Sequence, residues 1–157
     1  MISLRKITSD NWHDIRRLAV HKEQEDFVAP NLYSLAEAYV DSVDGCPPLP
    51  LAIYNGDEPV GFIMSNYEVA EENEWADEDI YHICRFMIDK NHQGKGYGRE
   101  AMLQMIELLK TGPLDPAKAV TIGSEPENHV VRKIYDSLGF VEVDYELGDE
   151  IIARLEL

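Results

Sequence analysis

The chain opens with alternating apolar and polar residues, Ile2-Ser3-Leu4-Arg5-Lys6-Ile7, the period-two pattern of a half-buried strand. Thr8-Ser9-Asp10 then offers side-chain caps, and Trp12, Ile15, Leu18 and Ala19 follow as the apolar stripe of a helix. A second helix is expected over Leu35-Ala36-Glu37-Ala38-Tyr39-Val40, capped by Ser34 and stopped by Gly45-Cys46-Pro47-Pro48. Residues 51–54 and 60–64 read as a hairpin across Asn55-Gly56-Asp57-Glu58, because Asn-Gly supplies the positive φ of a tight connection. An acidic stretch from Glu71 to Asp79 leads into residues 80–88, which are rich in strand formers.

Helical spacing returns from Tyr97 to Lys110, where Ala101, Met102, Met105, Ile106, Leu108 and Leu109 form one apolar side and Gly112-Pro113 ends it. Ala119-Val120-Thr121-Ile122 is a short buried strand. Asn128 is placed to cap a helix carrying Val131, Ile134, Tyr135 and Leu138, with Gly139 as its stop. Residues 140–143 and 151–155 close the chain as a second hairpin. Strands and helices therefore mix in one α/β (α+β) layout.

At 157 residues, with 45% hydrophobic and 28% charged side chains, the chain reads as a single globular domain, 1–157. No run approaches the roughly 20 apolar residues of a membrane span, and the first residues lack a signal-peptide core, so a cytoplasmic address is expected. Cys46 and Cys84 form no C-x-x-C pair and read as free thiols. Thirty acidic against 14 basic side chains leave a formal net charge of −16. That field repels nucleic acid and anionic membranes, so neither is an expected partner. It is compatible with simple solubility and with a cationic substrate.

Between the strand at 80–88 and the helix at 97–110 lies Gln93-Gly94-Lys95-Gly96-Tyr97-Gly98. A glycine-rich strand-to-helix turn gathers backbone N–H groups and the helix's positive end where an anion can come close; it can equally serve chain reversal alone. G-x-G-x-x-G fails at Ala101, and no Lys-Ser or Lys-Thr pair completes a Walker loop. No metal-ligand cluster is expected nearby. A pyrophosphate held by backbone donors, as in coenzyme A, fits what remains.

Gln93, Gly96 and Gly98 match Q/R-x-x-G-x-G/A, and Asn128 to Phe140 runs Asn-His-Val-Val-Arg-Lys-Ile-Tyr-Asp-Ser-Leu-Gly-Phe. On these two motifs, in this order, the chain resembles the GNAT superfamily of acyl-CoA-dependent N-acetyltransferases. The resemblance implies a central mixed, mostly antiparallel, twisted sheet of about seven strands flanked by about four helices. It implies acetyl-CoA as acyl donor, its pantetheine lying along Phe86, Met87 and Ile88. The pyrophosphate would rest on Gln93, Gly94, Lys95, Gly96, Tyr97 and Gly98, helped by Arg99, with Lys133 as a further cation. Asn128 would contact the pantetheine, although helix capping also explains it. Tyr135 would be the general acid that protonates the departing thiolate; a tyrosine at an apolar helical position is otherwise core.

The acceptor amine must also lose a proton, and His82 and Glu78 are the candidate bases. His82 stands near where some members carry a glutamate; its alternative is a packed strand histidine. Gln24 to Ala38 and Arg85-Phe86-Met87-Ile88-Asp89 further resemble bacterial spermine/spermidine N-acetyltransferases. That likeness implies a polyamine acceptor with Glu25, Asp26 and Glu37 binding its cationic nitrogens. A peptide amine, an aminoglycoside, or a non-catalytic acyl-CoA-binding module are the alternatives. Homodimers are common in the superfamily, and no motif here fixes one.

Overall fold

A computed structural model describes residues 1–73 and 77–157. Strands β1 (Ile2–Lys6), β2 (Leu49–Asn55), β3 (Glu58–Glu68), β4 (Ile80–Ile88), β5 (Ala119–Ser124), β6 (Val141–Leu147) and β7 (Glu150–Glu156) form one seven-stranded sheet in the order β1-β2-β3-β4-β5-β7-β6. The helices are α1 (Trp12–Ile15), α2 (Asn31–Val43), α3 (Tyr97–Lys110) and α4 (His129–Ser137). β4 and β5 run parallel, and every other neighbouring pair is antiparallel, giving the mixed sheet expected. A parallel pair needs a long crossover, which α3 supplies.

Strand alternation divides the core. Leu51, Ile53 and Ile63 face one side with Met102, Met105, Ile106 and Leu109 of α3. Ala52, Tyr54, Phe62 and Met64 face the other with Ile15 of α1 and Ala38 of α2. Both faces are thus covered, which explains why β2 and β3 read as continuous apolar runs. Tyr81 is fully buried, and its hydroxyl still donates to the Asp115 carbonyl (2.7 Å) and accepts from the Leu114 and Asp115 N–H groups (both 3.1 Å), so its burial strands no polar group. Among the described residues no helix is long and apolar enough to cross a membrane.

Several local expectations shift. α1 ends at Ile15 instead of running to Ala19, because Ala19 is tied to the end of β4: its N–H donates to Asp89 Oδ2 (3.0 Å) and its carbonyl accepts from Lys90 N–H (2.9 Å). Asn11, with no capping bond, precedes this helix, in place of the Thr8-Ser9-Asp10 caps. α2 starts at Asn31 after Pro30, one turn ahead of the expected cap. Ser34 lies buried within it and accepts a hydrogen bond from Arg85 Nε (3.2 Å). In the first hairpin only Gly56 takes positive φ (61°), so Asn55 stays in the strand and faces Glu58. The acidic stretch from Glu71 to Asp79 includes residues 74–76, which lie outside the described residues. Cys46 and Cys84 are free thiols.

The seam between β4 and β5 positions the site. They pair from Ile80 with Ala119 to Ile83 with Ile122, and no farther. On the other edge of β4, Ser65 faces Ile83 whereas Met64 faces Arg85, so Cys84 is an extra residue, a β-bulge that bends the strand where the pairing stops.

Candidate active site

Where β4 and β5 part, a cleft of about 650 Å³ opens. β4 from Ile83 to Ile88 forms one wall, and Ile122 to Glu125 with Tyr135 and Glu150 form the other; the glycine loop closes one end. Phe86, Met87 and Ile88 pair with β3 on one edge only, and on the β5 side their main-chain groups border the cleft. An extended ligand can add there as a strand would.

At the loop, Gly94 (φ 75°) and Gly96 (φ 81°) adopt the left-handed conformation that side-chain-bearing residues avoid. Gly96 is the N-cap of α3 and offers no capping side chain, and the N–H groups of Gln93 to Gly98 meet no backbone acceptor among the described residues. Donors left over in this way at a helix start favour an anion. A Cβ on Gly98 would stand 3.4 Å from the Phe86 ring, so glycine also lets α3 sit close on β4. Gln93 works mainly as a strut: its Nε2 donates to the Ile88 carbonyl (3.0 Å) and to Gln24 Oε1 (2.8 Å), and Gln24 Nε2 donates back to its Oε1 (3.2 Å). Arg99 lines the cleft. Lys95 turns to the Asn91 carbonyl (3.1 Å) and does not line the cleft; Lys133 lines a separate recess behind α4.

Tyr135 projects from α4 into the cleft, 5% exposed, its ring 5.9 Å from Phe140. Its hydroxyl makes no hydrogen bond among the described residues. Burial, and then the charge of Glu150, raise its pKa, so the phenol keeps its proton. Asn128 borders the same cleft at the N-cap of α4, but its side chain makes no capping bond.

Neither base candidate reaches the cleft. His82 is buried in β4 with Nδ1 2.9 Å from Thr121 Oγ1, and desolvation, then Arg85, push its pKa down to about 4. Glu78 accepts two bonds from Arg154 (2.6 and 3.1 Å), which hold its carboxyl below the ordinary range. The acceptor candidates divide as well. Glu25 and Asp26 are exposed on the cleft wall, whereas Glu37 is paired with Arg85 Nη2 at 2.7 Å. Glu125 and Glu150, which sequence reasoning missed, line the cleft beside Tyr135, and burial, then Glu125, raise the pKa of Glu150. No local motif marks them. Among the described residues no group of three or more His, Cys, Asp or Glu side chains gathers to hold a metal.

This geometry agrees with what the chain is similar to. Residues 12–140 match the model of the Acetyltransferase (GNAT) family. The probable spermine N(1)-acetyltransferase of Bacillus subtilis subsp. natto (strain BEST195) is 26% identical, over 98% of this chain and 97% of that protein. The PaiA N-acetyltransferase from Thermoplasma acidophilum, solved with coenzyme A, shares the fold at a TM-score of 0.70 and 16% identity, covering 100% of this chain and 99% of the other. The aminoglycoside acetyltransferase AAC(6')-Ib, also solved with coenzyme A, superposes at 0.77 with 19% identity, covering 99% and 95%. A sheet parted at β4 and β5, a donor-rich loop at its mouth and a family match across most of the sequence converge: the chain belongs to the GNAT family of acetyl-CoA-dependent N-acetyltransferases.

Proposed function

We propose that the protein acetylates a primary amine of a polyamine, spermidine, spermine or a diamine, by direct transfer from acetyl-CoA within a ternary complex. The carrying observation is the acidic lining of the cleft, Glu25 and Asp26 on one side and Glu125 and Glu150 on the other, in a chain of net charge −16. Several carboxylates along one opening suit a ligand with several ammonium groups. They also speed its encounter in a way that added salt weakens. The similarity to a spermine acetyltransferase points the same way.

In this reading the edge of β4 and the amides of Gln93 to Gly98 hold the donor, with Asn128 beside its pantetheine. The amine attacks the thioester carbonyl, backbone N–H groups of β4 steady the oxyanion, and Tyr135 gives its proton to the leaving sulfur. No cysteine carries the acyl group: burial raises the Cys84 thiol to about 11, so it stays protonated, and Cys46 is not among the cleft residues. The test is thiol release from acetyl-CoA over a panel of spermine, spermidine, diamines, aminoglycosides and peptide N-termini. Polyamines turn over fastest if the proposal holds. An aminoglycoside or peptide outrunning them overturns it.

A further inference from the structure

Gly123 is the first residue of β5 beyond the last pair with β4, and it lies beside the cleft. A side chain there would collide with Glu150: the Glu150 Cδ lies 3.0 Å and its Cβ 3.3 Å from where the Gly123 Cβ would stand. Ser124 pairs with Ile151, so the start of β7 is held alongside and the Glu150 side chain folds back over the bare backbone of Gly123. Its carboxylate fills the place that a β5 side chain would otherwise occupy. It is half-buried, borders the cleft and acts electrostatically on Tyr135.

We infer that Glu150, seated on Gly123, is a catalytic residue of this enzyme: it binds the acceptor's reacting ammonium and takes one proton from it, freeing the lone pair with which the neutral nitrogen then attacks. The inference rests on N-acetyl transfer with Tyr135 as the acid, and not on the acceptor being a polyamine. The groups acting on Glu150 are Glu125 at the end of β5, Arg85 on β4 and Tyr135 on α4. Arg85 is already paired with Glu37, so the two cleft carboxylates leave a local excess of negative charge. Burial and Glu125 raise the proton affinity of Glu150, which suits a base; an arriving ammonium offsets the repulsion and keeps the carboxylate ionised until transfer.

The proton count closes. An ammonium nitrogen loses two protons in becoming an amide. One passes to Glu150 and on to solvent. The C–N bond forms, the C–S bond breaks, and sulfur takes the Tyr135 proton; the second nitrogen proton restores the phenol.

The test measures kcat/KM from pH 6 to 10 for wild type, Glu150→Gln and Gly123→Ala, using whichever panel amine the wild type acetylates best. Calorimetry gives acetyl-CoA affinity in parallel. Glu150→Gln should lose about 10²-fold at pH 7, with the deficit shrinking toward pH 10 where the amine arrives neutral, and with unchanged acetyl-CoA binding. Gly123→Ala, which keeps the carboxylate but displaces it, should lose about tenfold with the same pH trend. Glu150→Gln activity within threefold of wild type overturns the inference. So does a loss of equal size at every pH that tracks weaker acetyl-CoA binding. If Glu150→Gln does not fold, Gly123→Ala decides, and a wild-type pH profile there overturns it. Failure of the polyamine reading is separate, since it appears only in the wild type's choice of amine.

Discussion

The two halves of the β4–β5 seam are built from the same pair of strands and do opposite work. From Ile80 to Ile83 the strands pair, Tyr81 and Thr121 are fully buried, and the ionisable His82 is held neutral against Thr121. From Cys84 to Ile88 the pairing is gone, the backbone edge borders a cleft, and Glu125, Glu150 and Tyr135 meet there. One extra residue on β4 and one missing side chain at Gly123 mark the change. The histidine in the paired half is packed against Thr121; the glutamate in the parted half borders the cleft, where we assign it chemistry. Residue type alone does not separate the two roles, and position along the seam does.

The sharpest way to break this contrast is at Tyr135. Replacing Tyr135 with Phe should slow single-turnover acetyl transfer by about 10²- to 10³-fold, the usual worth of a placed proton donor. Thermal stability should hardly change, because the lost hydroxyl has no hydrogen-bond partner among the described residues. An unchanged transfer rate would remove Tyr135 from the mechanism.

The paired half should answer to pH through stability. His82 has a folded pKa of about 4 against an unfolded value of 6.5. Between those values the unfolded chain binds more protons, so the stabilisation is complete above pH 6.5 and is lost as pH falls to 4. That loss is about 3 kcal/mol from this group. Denaturant melts of wild type and His82→Asn across the window test it: the variant's unfolding free energy should fall less steeply, and parallel slopes would refute the assignment.

The smallest expected effect is at Glu37, which secures Arg85 at the bulge. With both side chains partly exposed, Glu37→Gln should cost about 1 kcal/mol, read as a melting point lower by a few degrees. A raised KM for the amine with an unshifted melting point would instead return Glu37 to the acceptor site.

Much of this was legible in the sequence because it was local. The glycine loop, the apolar side of α3 and the run from Asn128 to Phe140 each carry their geometry within a few neighbours. Glu150 does not. It comes beside Gly123 through the register of β7 on β5, which no pattern around either residue displays. The same holds in reverse for Glu78, whose partner Arg154 lies far along the chain and occupies the carboxylate proposed as a base. Ser34 looked like a cap by residue type, but Pro30 had already fixed a backbone turn suited to starting the helix, and Arg85 uses the hydroxyl instead. Long-range pairing decides which side chains remain available.

The reciprocal amide pair between Gln24 and Gln93 has a consequence for the order of events. It joins the segment bearing Glu25 and Asp26 to the first residue of the donor loop, and the same Gln93 amide steadies the end of β4. An amine that displaced Gln24 as it settled would alter the loop proposed above to hold coenzyme A. Linkage then requires the donor to change the enzyme's affinity for the amine by the same factor as the amine changes its affinity for the donor. The pair is small, but it is a physical connection through which two substrates on either side of it would feel each other.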